Sequence, residues 1–367
     1  MFLVGGLAVQ IRDELDLPVS RLGVLTAVFF AASALLSSPA GRLAEGTGAA
    51  LAMCAGALTA ALALGGIALA PSEAVLVTAL AIGGCSGAIC QVASNLYLAN
   101  STDPTRQGLA FGIKQSAIPA ATLLGGLAVP LVALTVGWRW AFAGGSALAL
   151  LVAGSVLAAR RGGARRMWSG ARGPEVGLGA LIVLAAGGGC GSAAANALGT
   201  FLVDSSVAAG AAEGTAGLIA AAGSAVGLAT RVGVGWLADR ASSGRLLWVA
   251  GLLGGGALGY ALMATRSPTL LLPATALCFA GGWGWPGLFN FTIVIRNRRA
   301  PAAATGVTQT GVYLGGVLGP LLFGLVAERA TYAAAWAAAS AVALVAAGAI
   351  VVGRRLLLRE AAELEPA

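Results

Sequence analysis

Along this chain the apolar residues come in long unbroken runs and do not alternate with polar ones. Eleven runs, roughly at 22–40, 49–70, 74–99, 109–134, 140–159, 177–203, 215–238, 246–264, 269–295, 303–326 and 331–353, are each near the ~20 residues a helix needs to cross a bilayer. None shows the period-two alternation of a membrane β-barrel strand. A shorter run, Phe2 to Ile11, precedes Arg12-Asp13-Glu14 and makes about 15 Å of helix, half a bilayer. It lacks the basic start and small-residue cleavage site of a signal peptide, so it reads as the second half of a first spanning helix. The pattern predicts an all-α integral membrane protein with twelve spans, the first incomplete.

Composition agrees. Hydrophobic residues make up 58% of the 367 and charged residues only 10%, against about 25% charged in soluble proteins; mean hydropathy is +0.88. Histidine is absent, which removes Ser-His-Asp catalysis and His-ligated zinc. Cys54, Cys85, Cys90, Cys190 and Cys278 lie singly in apolar runs and read as small buried hydrophobes, so no metal site is expected. The net charge of +8 comes from arginines scattered between spans, a membrane-loop layout that gives no ground for nucleic-acid binding. With the 160–176 loop inside, fifteen arginines face the cytoplasm, Arg42, Arg106, Arg240, Arg245 and Arg296 among them, and five face out: Arg12, Arg21, Arg139, Arg266 and Arg329. This predicts a multi-pass protein of the cytoplasmic membrane with both termini inside. Trp138 and Trp140 on one side, and Trp236 and Trp248 on the other, are placed for aromatic belts. The 56 glycines predict close helix contact, as at Gly251–Gly256 or Gly315-Gly316.

The sequence also repeats itself. Gly41-Arg42-Leu43-Ala44-Glu45 lies 194 positions before Gly235-Trp236-Leu237-Ala238-Asp239, and Gly112-Ile113-Lys114-Gln115-Ser116 lies 194 before Gly306-Val307-Thr308-Gln309-Thr310. A six-helix unit has been duplicated. The expected organisation is a bundle over 1–159, a cytoplasmic linker over 160–176, a second bundle over 177–353 and a tail over 354–367. The seventh span maps back to positions before Met1, so about seventeen residues of the first helix would be missing, as from a late-assigned start.

Two six-helix halves with G-x-L-A-[DE] after the second and eighth spans resemble the major facilitator superfamily, over essentially the whole chain. Gly235 through Asp239-Arg240 to Gly244-Arg245 is similar to its loop signature G-x-x-x-D-R-x-G-R. The first copy departs: Glu45 stands for Asp, Gly46 for Arg, and Ala49-Ala50 follow Gly48. The resemblance implies alternating access around a midplane site lined by spans 1, 4, 7 and 10. It also implies a gate at Gly41, Glu45, Gly235, Asp239, Arg240 and Arg245, with Asp239 accepting from Arg240 or Arg245 when closed. Arg231-x-Gly233-x-Gly235 with Asp239 resembles the eighth helix of nitrate/nitrite, cyanate-type and some monocarboxylate permeases. Ser37 stands where nitrate porters carry a second Arg, which counts against nitrate itself.

Intramembrane ionisable residues mark function. Two occur, both basic: Arg231 and Lys114. No acidic residue falls mid-span, Glu14 and Asp204 being placed at external helix ends. A small monovalent anion is therefore the expected substrate, with Arg231 its counter-charge. Asn95, Asn196, Asn290, Gln91, Gln115 and Gln309 are further candidate binding residues. They serve equally as interhelical hydrogen-bond glue. With no P-loop and no cofactor motif, the expected function is secondary transport by a monomer. A proton is the candidate coupling ion, with only Asp204 or Glu14 to carry it. The alternative is a drug–proton antiporter, on the faint likeness of Gly125-Gly126-x-x-x-Pro130 to a drug-exporter motif. An integral-membrane enzyme would need an interfacial cluster of Asp, Glu, His or Cys, which the sequence lacks.

Overall fold

The computed structural model describes residues 1–103, 106–158, 177–240, 243–297 and 301–364. The linker expected over 160–176 lies outside them. Among the described residues there is no strand. The first span consists of α1 (Phe2–Gly6) and α2 (Ala8–Leu15), followed by α3 (Val19–Thr47), α4 (Ala49–Ala68) and α5 (Glu73–Ser101). The fifth span is segmented into α6 (Gln107–Gln115), α7 (Ala117–Ala128), a π-turn (Val129–Ala133) and α8 (Leu134–Val136), and α9 (Trp138–Ala158) ends the first half. The second half has α10 (Leu178–Ala208), α11 (Glu213–Arg240) and α12 (Arg245–Ala264). Its fourth span is broken into a 3-10 turn (Pro268–Leu270), α13 (Leu271–Leu277), a π-turn (Cys278–Gly282) and α14 (Pro286–Arg296). The chain continues through α15 (Pro301–Arg329) to α16 (Tyr332–Leu364), whose last turns run into the segment expected as the tail.

Ten described helices are long and apolar enough to cross a membrane. The two other expected spans are the short first one and the broken tenth. Proline explains the breaks, because its missing N–H and bulky ring interrupt the helical ladder. Pro119 and Pro130 lie in the segmented fifth span, and Pro286 starts α14 after the Trp283-Gly284-Trp285 interruption.

The halves meet along two antiparallel crossings, α3 with α15 and α7 with α11. Glycines let the backbones touch. Gly126 faces Gly217 and Ala221, Gly23 faces the Pro320 backbone, and Gly316 faces the Phe30 ring. Within the second half, Gly311, Gly315 and Gly319 seat α15 directly on the backbone of α10. In hydrocarbon such packing, and not apolar burial, holds helices together. Gly256 meets Gly282 as expected, but Gly251, Gly254 and Gly255 have no neighbour within 4 Å of a built Cβ. Trp140, Trp236 and Trp248 are exposed as belt residues should be; Trp138 is buried instead, its indole donating to Glu14 at 2.5 Å. Arg139 also holds Glu14, at 2.7 Å.

A Gly315→Val variant should lose stability by about 1–3 kcal/mol or more through overpacking against α10. Gly348→Val, with nothing within 4 Å, serves as the control. Equal thermal midpoints for the two in detergent would contradict the packing described.

Candidate functional site

Arg231 lies in α11 and is 4% exposed. Its Nε donates to the Trp283 carbonyl at 2.7 Å, and its Nη1 donates to the Gln115 carbonyl. Both acceptors exist because of the helix breaks. Gln115 would normally bond the N–H four residues on, but Pro119 occupies that position and has none. Trp283 sits in the interruption before Pro286. The guanidinium therefore ties the second half's broken span to the first half's segmented one. The Trp283 ring is held under it by Phe2 at 4.9 Å and Phe279 at 5.1 Å between centroids, and its indole donates to the Ala195 carbonyl. The bonds that Arg231 makes are thus to backbone carbonyls at helix interruptions of both halves.

Lys114 and Asn95 do come together, the Lys114 ammonium donating to Asn95 Oδ1 at 2.7 Å. Gln91 is one turn away on α5 and half-buried. In the second half Gln309 donates to Asn290 Oδ1 at 2.9 Å. Each half thus has one polar pair between its fourth and fifth spans, but the pairs are not residue-for-residue copies, since at the repeat's offset of 194 Gln309 matches Gln115 and not Lys114. The halves approach here, with Gly287 of α14 packed against Phe111, Gly112 and Gln115 of α6. Asn196 does not join either pair; its amide donates back to Ser192 within α10. Among the described residues no carboxylate pairs with Lys114 or Arg231.

The residues expected to gate are placed differently in the two copies. Asp239 accepts the N–H groups of Gly108 and Leu109 at 2.8 and 2.9 Å, gripping the N-terminus of α6 across the halves. An anionic acceptor at a helix N-terminus is favoured by the dipole and by orphan donors. Of the expected partners, Arg240 stacks on Trp236 at 3.7 Å, and Arg245 donates to the Ala238 carbonyl at 3.0 Å. Gly235 packs on Gly108 and Gly112, whereas Gly41 has no neighbour within 4 Å. The side chain of Glu45 lies outside the described residues.

At the opposite end the halves are locked by a network that the sequence reading underrated. Asp204 is 4% exposed inside α10, not at its exposed tip. It binds Arg12 of α2 at 2.5 Å and accepts from the Tyr332 hydroxyl. Gln10 donates to Glu213, and Thr26 meets Thr200 at 3.0 Å. The sequence signal was a carboxylate directly after the apolar run 177–203. Asp204→Asn removes the charge that Arg12 needs. In a Thr200→Cys background it should speed reaction with a membrane-impermeant maleimide from that end several-fold; an unchanged rate would mean that the pair does not hold this end shut.

Residues 1–175 match the Major Facilitator Superfamily. No curated protein matches the sequence. The chain is similar in structure to a bacterial homologue of the human lysosomal transporter Spinster. In that protein's inward-facing, occupied conformation the TM-score is 0.72, with 16% identity over 98% of this chain and 94% of that one. In its inward-facing, unoccupied conformation the TM-score is 0.73, with the same identity and coverage. The first half matches the major facilitator superfamily, a family of solute transporters, by sequence; the duplicated motif carries the same pattern into the second half, and the fold agrees with those transporter structures over the whole length.

Proposed function

We propose that this transporter carries a small monovalent anion, organic or inorganic, and that Lys114 is its direct counter-charge. The supporting observation is the imbalance of the interior. Two cations lie within the membrane-spanning helices, and no described carboxylate neutralises either. A central charge costs about 2.5–3.5 kcal/mol on insertion scales, so an anion entering between the halves relieves a standing cost. Arg231 already gives two donors to carbonyls and acts chiefly as a positioning residue whose field also favours an anion. Lys114 has three donors, of which Asn95 takes one. Gln91 lies one turn from Asn95 on α5, and the Asn290–Gln309 pair offers amides from the second half. The basic end faces the cytoplasm of a cytoplasmic membrane, so the Arg12–Asp204 lock faces outward. Asp204 is then the candidate proton carrier.

In a thermal-shift screen of cyanate, nitrate, short carboxylates and lipophilic cations, an anion should stabilise the purified protein. A ligand at a hundredfold excess over its Kd contributes about 2.7 kcal/mol. Lys114→Gln should abolish the shift and Lys114→Arg should retain it. Arg231→Gln should lower the protein's own stability by roughly 1.5–3 kcal/mol per lost charged hydrogen bond. A shift with lipophilic cations that is indifferent to Lys114 would replace this reading with drug export. A cysteine placed in the 160–176 loop should stay protected from impermeant maleimide in intact cells; ready labelling would reverse the orientation.

A further inference from the structure

The lipid-facing side of the second half carries a trough. It measures about 400 Å³ and is lined by Leu237, Trp248, Gly251, Gly255, Leu277 and Ala280, among others. Its origin is the mismatch between α12 and the broken tenth span. On one side of α12, Gly256 and Gly259 press against the backbone of the π-turn, with Gly281 and Gly282 facing them. On the other side Gly251 and Gly255 contribute no side chain, and no atom approaches within 4 Å of where one would be. The trough runs toward the basic end, where α11 stops and α12 starts. There Trp236 and Trp248 are 46% and 38% exposed, and the exposed guanidinium of Arg240 lies 3.7 Å from the centroid of the Trp236 ring.

We propose that this trough and Arg240 form a binding site for one anionic phospholipid, a phosphatidylglycerol-like molecule with an acyl chain in the trough and its phosphate on Arg240. The two parts act differently. At hydrocarbon depth water is excluded, so a lipid chain fills the apolar trough, and the gain is dispersion contact that any lipid can supply. The trough thus fixes position but does not choose a headgroup. Selection comes from charge: a guanidinium at the membrane boundary attracts anionic headgroups and offers planar donors that match phosphate. Two interfacial tryptophans flank it at headgroup level. The site is separate from the path between the halves, because α11 presents Gly235 and Asp239 to α6 and Leu237 to lipid.

Native mass spectrometry of the intact protein, equilibrated with equal amounts of phosphatidylglycerol and phosphatidylcholine, tests this. Wild type should retain one phosphatidylglycerol with several-fold preference over phosphatidylcholine. Gly251→Leu with Gly255→Leu starts both side chains where nothing lies within 4 Å of the Cβ and fills the trough, so the protein should fold with an unchanged thermal midpoint and lose retention of both lipids. Arg240→Gln should retain a lipid but lose the preference. Excess glycerol phosphate should not compete, since it lacks the chain. Undiminished phosphatidylglycerol retention in the filled variant, or equal retention of the two lipids by wild type, would overturn the proposal.

Discussion

In hydrocarbon no water is at hand to satisfy a backbone carbonyl, so every peptide group must find its partner inside the protein. That constraint organises the centre of this molecule. Pro119 and Pro286 each interrupt a spanning helix, and the carbonyls of Gln115 and Trp283 are left without a helical partner. Arg231 satisfies both at once. A buried cation normally needs a carboxylate; here two carbonyl dipoles stand in for it. The trade is mutual, because the exposed carbonyls would be as costly alone as the guanidinium. The halves are therefore joined near their middle by a bond that only broken helices make available.

Alternating access requires that contacts at either end be strong enough to hold and weak enough to exchange. The Arg12–Asp204–Tyr332 group and the Asp239 grip on α6 are each a handful of hydrogen bonds. A ligand needs only a few kcal/mol of differential affinity to shift such a balance. The crossings beneath them are glycine contacts, backbone on backbone, which have little side-chain interdigitation to resist sliding. The basic end is asymmetric: Gly235 packs closely on α6, while its repeat partner Gly41 has open space. The duplicated unit has thus kept its architecture in both copies and its tight crossing in one.

The candidate site was legible in part. Amide and cationic residues could be read from the fourth, fifth, tenth and eleventh spans, and the repeat hinted that they are related. Sequence spacing could not show that Lys114 meets Asn95 while Gln309 meets Asn290, because these pairs join neighbouring helices whose rotation is set by packing. Arg231 drew attention as a membrane charge for sound energetic reasons. Its role changed once Pro119 was seen four residues beyond Gln115, a signal present in the sequence but meaningful only if α6 lies against α11. Asn196 satisfies itself within its own helix, the local bonding open to any Asn one turn after a Ser.

The spans, the duplication, the charge balance and the family motif were determined by the sequence itself. Each depends on local hydrophobicity or on residue identity at a fixed spacing, and the bilayer leaves few alternatives for a 20-residue apolar run. What the tertiary structure decided was partnership. It placed Asp204 in the interior against Arg12 from the other half, turned Asp239 toward the amides of α6, buried Trp138 under Glu14 and left three glycines of α12 facing open space. These outcomes depend on which faces of separate helices meet, and glycine-rich helices in lipid carry no strong apolar stripe to fix that in advance.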